Sequence, residues 1–156
     1  MQAEKKQTWQ RHNLTLAQHV ALRNGVPLGD GTSMLHRSFG AASYAGFWQY
    51  WNPIWGYGLG KYVYAPARRI LPPAAAFIVT FIISGGIHDL AMMAVSRSVV
   101  FLFTPWFFLL GVGAVLGRAA GMDLGQRPFL IRVTVNFTYL VTCLLLTLLA
   151  KRMFGL

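Results

Sequence analysis

Long stretches without a single charge alternate along this chain with short, basic ones. Three uncharged, mostly apolar runs stand out: Ile70 to Ile87, Ser98 to Gly117 and Val133 to Ala150. Each is close to the roughly 20 apolar residues that a membrane-crossing helix needs. The pattern predicts an all-α membrane protein with about three transmembrane helices, over 71–96, 99–117 and 131–150. Pro105 is tolerable in the second, because membrane helices can re-satisfy freed backbone groups. In the third, Thr134, Thr138 and Thr142 recur every four residues. They share one face, a stripe suited to close helix contact.

The segment 38–60, "SFGAASYAGFWQYWNPIWGYGLG", also lacks charge but reads differently. Gly40, Gly46, Gly56, Gly58, Gly60 and Pro53 interrupt it, and its tryptophans and tyrosines are residues of the membrane interface. It is expected to be interfacial or re-entrant, with a short helix around 44–51, because irregular backbone at membrane depth needs protein or water cover. Residues 1–37 form a polar, basic N-terminal arm ahead of a membrane domain over 38–156. Within the arm, "TLAQHVALRNGVP" predicts an interfacial helix. Thr15 and Gln18 have capping-box spacing, Gly25 can stop the helix, and Pro27 lies just beyond. The opening residues do not resemble a signal peptide, since Lys5 and Lys6 lead into polar sequence.

Composition agrees with the membrane reading: 55% of residues are hydrophobic and 12% charged, against about 25% charged in soluble domains. The net charge of +10 raises nucleic acid as a partner, but no nucleic-acid-binding motif is present and the charges are distributed otherwise. Lys5, Lys6, Arg11, Arg23, Arg37, Lys61, Arg68 and Arg69 precede the first expected span. Arg118, Arg127 and Arg132 lie between the second and third, leaving Arg97, Lys151 and Arg152 for the other side. The positive-inside rule then places the N-terminus in the cytoplasm and the C-terminus opposite. The single cysteine, Cys143, excludes an intrachain disulfide and a thiolate metal cluster.

Candidate chemistry lies in "SGGIHDL", 84–90. An ionisable residue inside a span is costly and marks function by default. His88 shares a helical face with Phe81, Ser84, Gly85, Ala91, Met92 and Val95. Asp89 is adjacent and therefore faces elsewhere. A metal site is not expected: His88 has no second histidine at i+4, and His12, His19 and His36 all lie in the arm.

Two ordered stretches, "FWQYWNPIWGYGLGKYVYAPARR" and "FIISGGIHDL", resemble the membrane-bound O-acyltransferase family, and the "SGxxHD" form looks most like its wax-synthase branch. Trp48, Trp51, Asn52, Tyr64 and Pro66 match the family's aromatic motif, and His88 matches its histidine. The resemblance covers 47–95. It implies transfer of a fatty acyl group from a thioester, acyl-CoA or acyl-carrier protein, to a hydroxyl of a lipid or long-chain alcohol, with the thioester as co-substrate and no cofactor. His88 would be the general base, a role worth about 10²–10⁴-fold. Asn52 would donate to the carbonyl or developing oxyanion. Trp48, Trp51 and Trp55 would line an acyl tunnel, Ser84 would orient the imidazole, and Arg68 and Arg69 would bind coenzyme A phosphates.

Each of these residues has a structural reading beside the catalytic one. The tryptophans serve equally as an interfacial belt, Asn52 before Pro53 as a turn-starter, the arginines as headgroup contacts, and Ser84 as a bond to its own backbone. The family usually has more helices around its tunnel, so a homo-oligomer or larger membrane complex is expected. The alternative function is a small non-catalytic structural or accessory subunit. His88 would then make a helix–helix hydrogen bond, or ligate a pigment or haem held by a partner.

Overall fold

The computed structural model describes Thr15, Gln18 and residues 31–99 and 101–154. Every regular element among the described residues is helical. The expected arm helix lies outside the described residues apart from its capping pair, which is reciprocal. Thr15 N–H donates to Gln18 Oε1 (2.9 Å), and Gln18 N–H donates to Thr15 Oγ1 (3.3 Å).

Helix α1, Gly31–Phe39, is an addition to the sequence reading and straddles the boundary expected between arm and membrane domain. Its last turn carries His36 and Arg37, which complement the helix C-terminus. His36 stacks on Phe129 at 4.4 Å between ring centroids. Helix α2, Tyr44–Tyr50, lies where a short helix is expected, and Ser43 caps it by accepting from Gly46 N–H at 3.1 Å.

The glycine-rich stretch that follows is more regular than its composition suggests. Helix α3, Pro53–Leu59, runs into a π-helical turn at Gly60–Tyr64 and then helix α4, Ala65–Ala67. Pro53 sits in the first turn, where its missing N–H costs nothing. The glycines lower helix propensity without forbidding it.

Helix α5, Pro73–Ser96, and helix α7, Phe129–Phe154, are long and apolar enough to cross a membrane. Helix α6, Phe103–Ala119, is apolar but has 17 residues, shorter than a span by that measure. The second expected span therefore begins later than position 99. Arg97 turns the chain in the left-handed region (φ 53°), and α6 starts only where its N-terminus is capped.

That cap comes from α5. The Asp89 side chain is 2% exposed. Its Oδ1 accepts from Leu102 N–H (3.0 Å) and Phe103 N–H (2.8 Å), and its Oδ2 from Thr104 N–H (2.8 Å). The first amides of a helix have no partner within it, and a carboxylate there answers both the missing bonds and the helix dipole. Gly85 permits the approach: a Cβ there would stand 2.6 Å from Phe103 O and 2.7 Å from Thr104 Cα. The small face around Gly85 is thus filled within the chain by α6.

Helix α7 closes the other side of α6. Tyr139 donates to Leu110 O, accepts from Trp48 Nε1–H at 3.3 Å and stacks on Tyr44 at 4.0 Å, joining α2, α6 and α7. Asn136 reaches Phe39 O (3.0 Å) and Ala41 O (2.9 Å), holding the link between α1 and α2. The stripe of Thr134, Thr138 and Thr142 lies on the exposed side of α7.

Replacing Asp89 by alanine leaves three N–H groups of α6 without their acceptor. An unsatisfied buried donor costs roughly 1–3 kcal/mol, so Asp89→Ala is expected to lose at least about 3 kcal/mol. Asp89→Asn keeps one acceptor and should lose less. Unfolding in lipid nanodiscs measures both. An Asp89→Ala protein as stable as the wild type would refute the clamp.

Candidate functional site

The α5–α6 pair, α2 and the stretch from α3 through the π-helical turn line an open cavity of about 410 Å³, within the 300–1,000 Å³ typical of small-molecule sites. Trp48, Trp51, Asn52, Ser84 and His88, all singled out from sequence, line it together. They come from α2, the α2–α3 link and α5. Trp55 and Tyr64 line it as well.

His88 is half-buried, and its ring is held on three sides by aromatic neighbours. Trp55 meets it edge-on at 5.6 Å, Phe107 lies at 5.1 Å and Phe103 at 5.6 Å. Nδ1 lies 2.7 Å from the Ser84 carbonyl oxygen, one turn back on α5. A carbonyl only accepts, so Nδ1 carries the hydrogen. In the neutral imidazole Nε2 then has the lone pair. The helix's own backbone fixes the tautomer and aims the ring.

Ser84 therefore orients His88 through its carbonyl and not through its hydroxyl. The hydroxyl oxygen accepts from Trp55 Nε1–H at 2.8 Å, which docks α3 against α5. Asn52 has a left-handed backbone (φ 40°), which asparagine tolerates better than most residues. Its Oδ1 accepts from Trp55 N–H at 3.3 Å and caps α3. The turn-starter role is thus present at Asn52. Among the described residues nothing accepts from its Nδ2, so the amide remains available as a donor at the exposed rim of the cavity.

Trp48 is committed to Tyr139 by its indole N–H and packs edge-on against Phe81 at 5.0 Å. Trp51 stacks on Phe47 at 5.4 Å. Both present aromatic surface to the cavity while anchoring α2.

Arg68 and Arg69 lie elsewhere. Both are exposed in the turn before α5, and Arg68 donates to Leu71 O. The arginine that does reach the cavity is Arg118, in the last turn of α6. The sequence reading counted Arg118 only as part of the loop charge. A signal for it existed: Arg118 stands eleven positions after Phe107, three turns along one face. Asp89, as its adjacency to His88 implies, points away to cap α6. Among the described residues no three His, Cys, Asp or Glu side chains converge on a possible metal site.

No family model, curated protein or solved structure matches the chain.

The tautomer is directly observable. Neutral His88 should be protonated at Nδ1 and bare at Nε2, as read by ¹⁵N solid-state NMR of ring-labelled protein, with the signal assigned by its loss in His88→Asn. Free imidazole side chains mix both forms. A His88 protonated at Nε2 in its neutral state would show that the Ser84 carbonyl does not set the ring.

Proposed function

We propose that this chain is a membrane-embedded acyltransferase, similar to the wax-synthase branch of the membrane-bound O-acyltransferases. It would move a fatty acyl group from a thioester to the hydroxyl of a lipid or long-chain alcohol. The observation that carries the reading is the histidine with Nδ1 bonded to the Ser84 carbonyl, which leaves the lone pair of the neutral ring on Nε2, in a cavity shared with Trp48, Trp51 and Asn52. The membrane setting rests on α5 and α7. Both are apolar, yet large side chains such as Leu90, Val95, Leu145 and Leu149 are exposed, which a soluble core helix avoids.

In this reading the alcohol enters the cavity with its hydroxyl against His88. Nε2 takes the hydroxyl proton as the oxygen attacks the thioester carbon. The carbonyl π electrons move onto oxygen, where the Asn52 amide is the available donor. Collapse of that intermediate breaks the C–S bond, and the thiolate leaves with the proton from Nε2. Ester and thiol are the products, and the imidazole returns to its starting form. No covalent enzyme intermediate is needed. The aromatic walls suit an acyl chain.

A non-catalytic accessory subunit is the second reading, favoured by the use of Asn52 Oδ1 as a helix cap. Thioester-dependent ester formation in purified membranes separates the two. His88→Ala should insert normally and lose at least about 10²-fold in turnover. Wild-type-like turnover in this variant would remove His88 from the mechanism, and a wild type without transferase activity would leave the accessory reading. Asn52→Asp keeps an oxygen to cap α3 but loses the amide donor. It should accumulate like the wild type with turnover reduced by up to about 10²-fold. Full activity in Asn52→Asp would leave Asn52 as a cap alone.

By the positive-inside rule, the basic residues in 61–69 and 118–132 support a cytoplasmic side for those loops, with the C-terminus opposite. Cysteine labelling at Lys5 and Gly155 in a Cys143→Ala background should react from opposite faces. Labelling of both ends from one face would mean an even number of crossings.

A further inference from the structure

The cavity that holds His88 does not end in a purely apolar wall. A second cavity of about 240 Å³ adjoins it, and Tyr64, Phe77 and Arg118 line both. Arg118 thus sits at the junction of two mainly aromatic and aliphatic chambers. Its side chain makes no hydrogen bond or ion pair among the described residues. The carboxylates of the described residues are occupied elsewhere: Asp89 caps α6, and Asp123 accepts from Gly125 N–H at 2.8 Å. Arg68 and Arg69 line neither cavity.

Helix geometry sets the axial interval between the backbone positions of His88 and Arg118. Phe107 touches the His88 ring and Arg118 lies eleven residues further along α6; on α5, Phe77 lies eleven residues before His88. At 1.5 Å per residue both intervals are about 16 Å. The chamber therefore has His88 toward one end and Arg118 toward the other, with Thr80 and Phe81 among the residues between them.

We propose that Arg118 binds the anionic end of the thioester donor, a phosphate carried on a long linear arm whose sulfur reaches His88. A peptide-like chain advances roughly 3.5 Å for every three bonds, so an arm of about 14 bonds covers the interval between the two backbone positions. A pantetheine-type arm ending in phosphate has that length and chemistry. Guanidinium suits the phosphate because its planar donors can bind two oxygens at once. The identity of the ligand as a thioester rests on the acyltransferase reading, but its binding does not require turnover.

The test is equilibrium binding to full-length protein in phosphatidylcholine nanodiscs, with two unreactive probes that differ by one phosphate: S-hexadecyl phosphopantetheine and S-hexadecyl pantetheine. The wild type should bind the phosphorylated probe at least about tenfold more tightly. Arg118→Gln should abolish that difference while leaving the affinity for S-hexadecyl pantetheine unchanged, and Arg118→Lys should restore part of it. Equal affinity of the wild type for both probes overturns the proposal. So does loss of the phosphate preference in Arg68→Gln/Arg69→Gln but not in Arg118→Gln. Competition by phosphatidic acid in the nanodisc that depends on Arg118 would assign the guanidinium to a lipid headgroup and also overturn it. Phosphate-selective binding through Arg118 without any transferase activity would sustain the subsite while refuting the catalytic reading.

Discussion

The Asp89 carboxylate sets the geometry on which the rest of the molecule depends. It takes three backbone amides at the start of α6, so it fixes where that helix begins and how it is turned relative to α5. An error of one residue would rotate α6 by about 100°. Phe107 would then leave the His88 ring, and Arg118 would leave the far end of the cavity. The close contact at Gly85 works with the carboxylate, because only a residue without a Cβ lets the Phe103 backbone come so near. Stability and site geometry are therefore one feature. The turn of α5 that presents His88 to the cavity is the turn that presents Asp89 to the neighbouring helix.

The opposite wall of the cavity is held by indole hydrogen bonds. Trp55 Nε1–H donates to Ser84 Oγ and ties α3 to α5; Trp48 Nε1–H donates to Tyr139 and ties α2 to α7. An indole N–H donates readily to a nearby acceptor, so each tryptophan both presents aromatic surface and specifies a partner. The π-helical turn at Gly60–Tyr64 continues the same wall. Such turns arise where a helix absorbs an extra residue, often beside functional sites. Here it carries Gly60 and Tyr64 onto the cavity.

What the sequence revealed and what it hid follow from the range of the forces involved. His88 stands out in the sequence because a polar group inside an apolar run is costly enough to need a reason, and the tryptophans around Trp48 stand out by resemblance and interfacial preference; that they line one cavity with His88 is what the structure adds. The departure of Asp89 from His88 was legible because adjacent helical positions diverge. Its destination was not, since that depends on how α6 packs. The regular helix through Gly56, Gly58 and Gly60 was hidden for the same reason. Propensity counts about 1 kcal/mol against each glycine, and the docking of Trp55 and its neighbours is a tertiary term absent from any local window. The arginines show the limit most clearly. Arg68 and Arg69 follow the aromatic motif in sequence, yet Arg118, distant in the chain, lines the cavity.

The arrangement at His88 also explains how such a residue is tolerated among aromatic rings. A buried N–H without a partner is rarer and more costly than an acceptor short of one bond. The Ser84 carbonyl satisfies the donor from within the same helix, where the partner is present whatever else occupies the cavity. The nitrogen left over is the acceptor, the cheaper group to leave facing apolar surroundings and also the one that can take a proton. A bond made instead by the Ser84 hydroxyl would have allowed either tautomer, because a hydroxyl both donates and accepts. By giving that hydroxyl to Trp55 and the carbonyl to His88, α5 keeps the imidazole in one form. Folding requirements thus select the tautomer that the proposed base chemistry needs, so that chemistry would not trade stability for a reactive nitrogen.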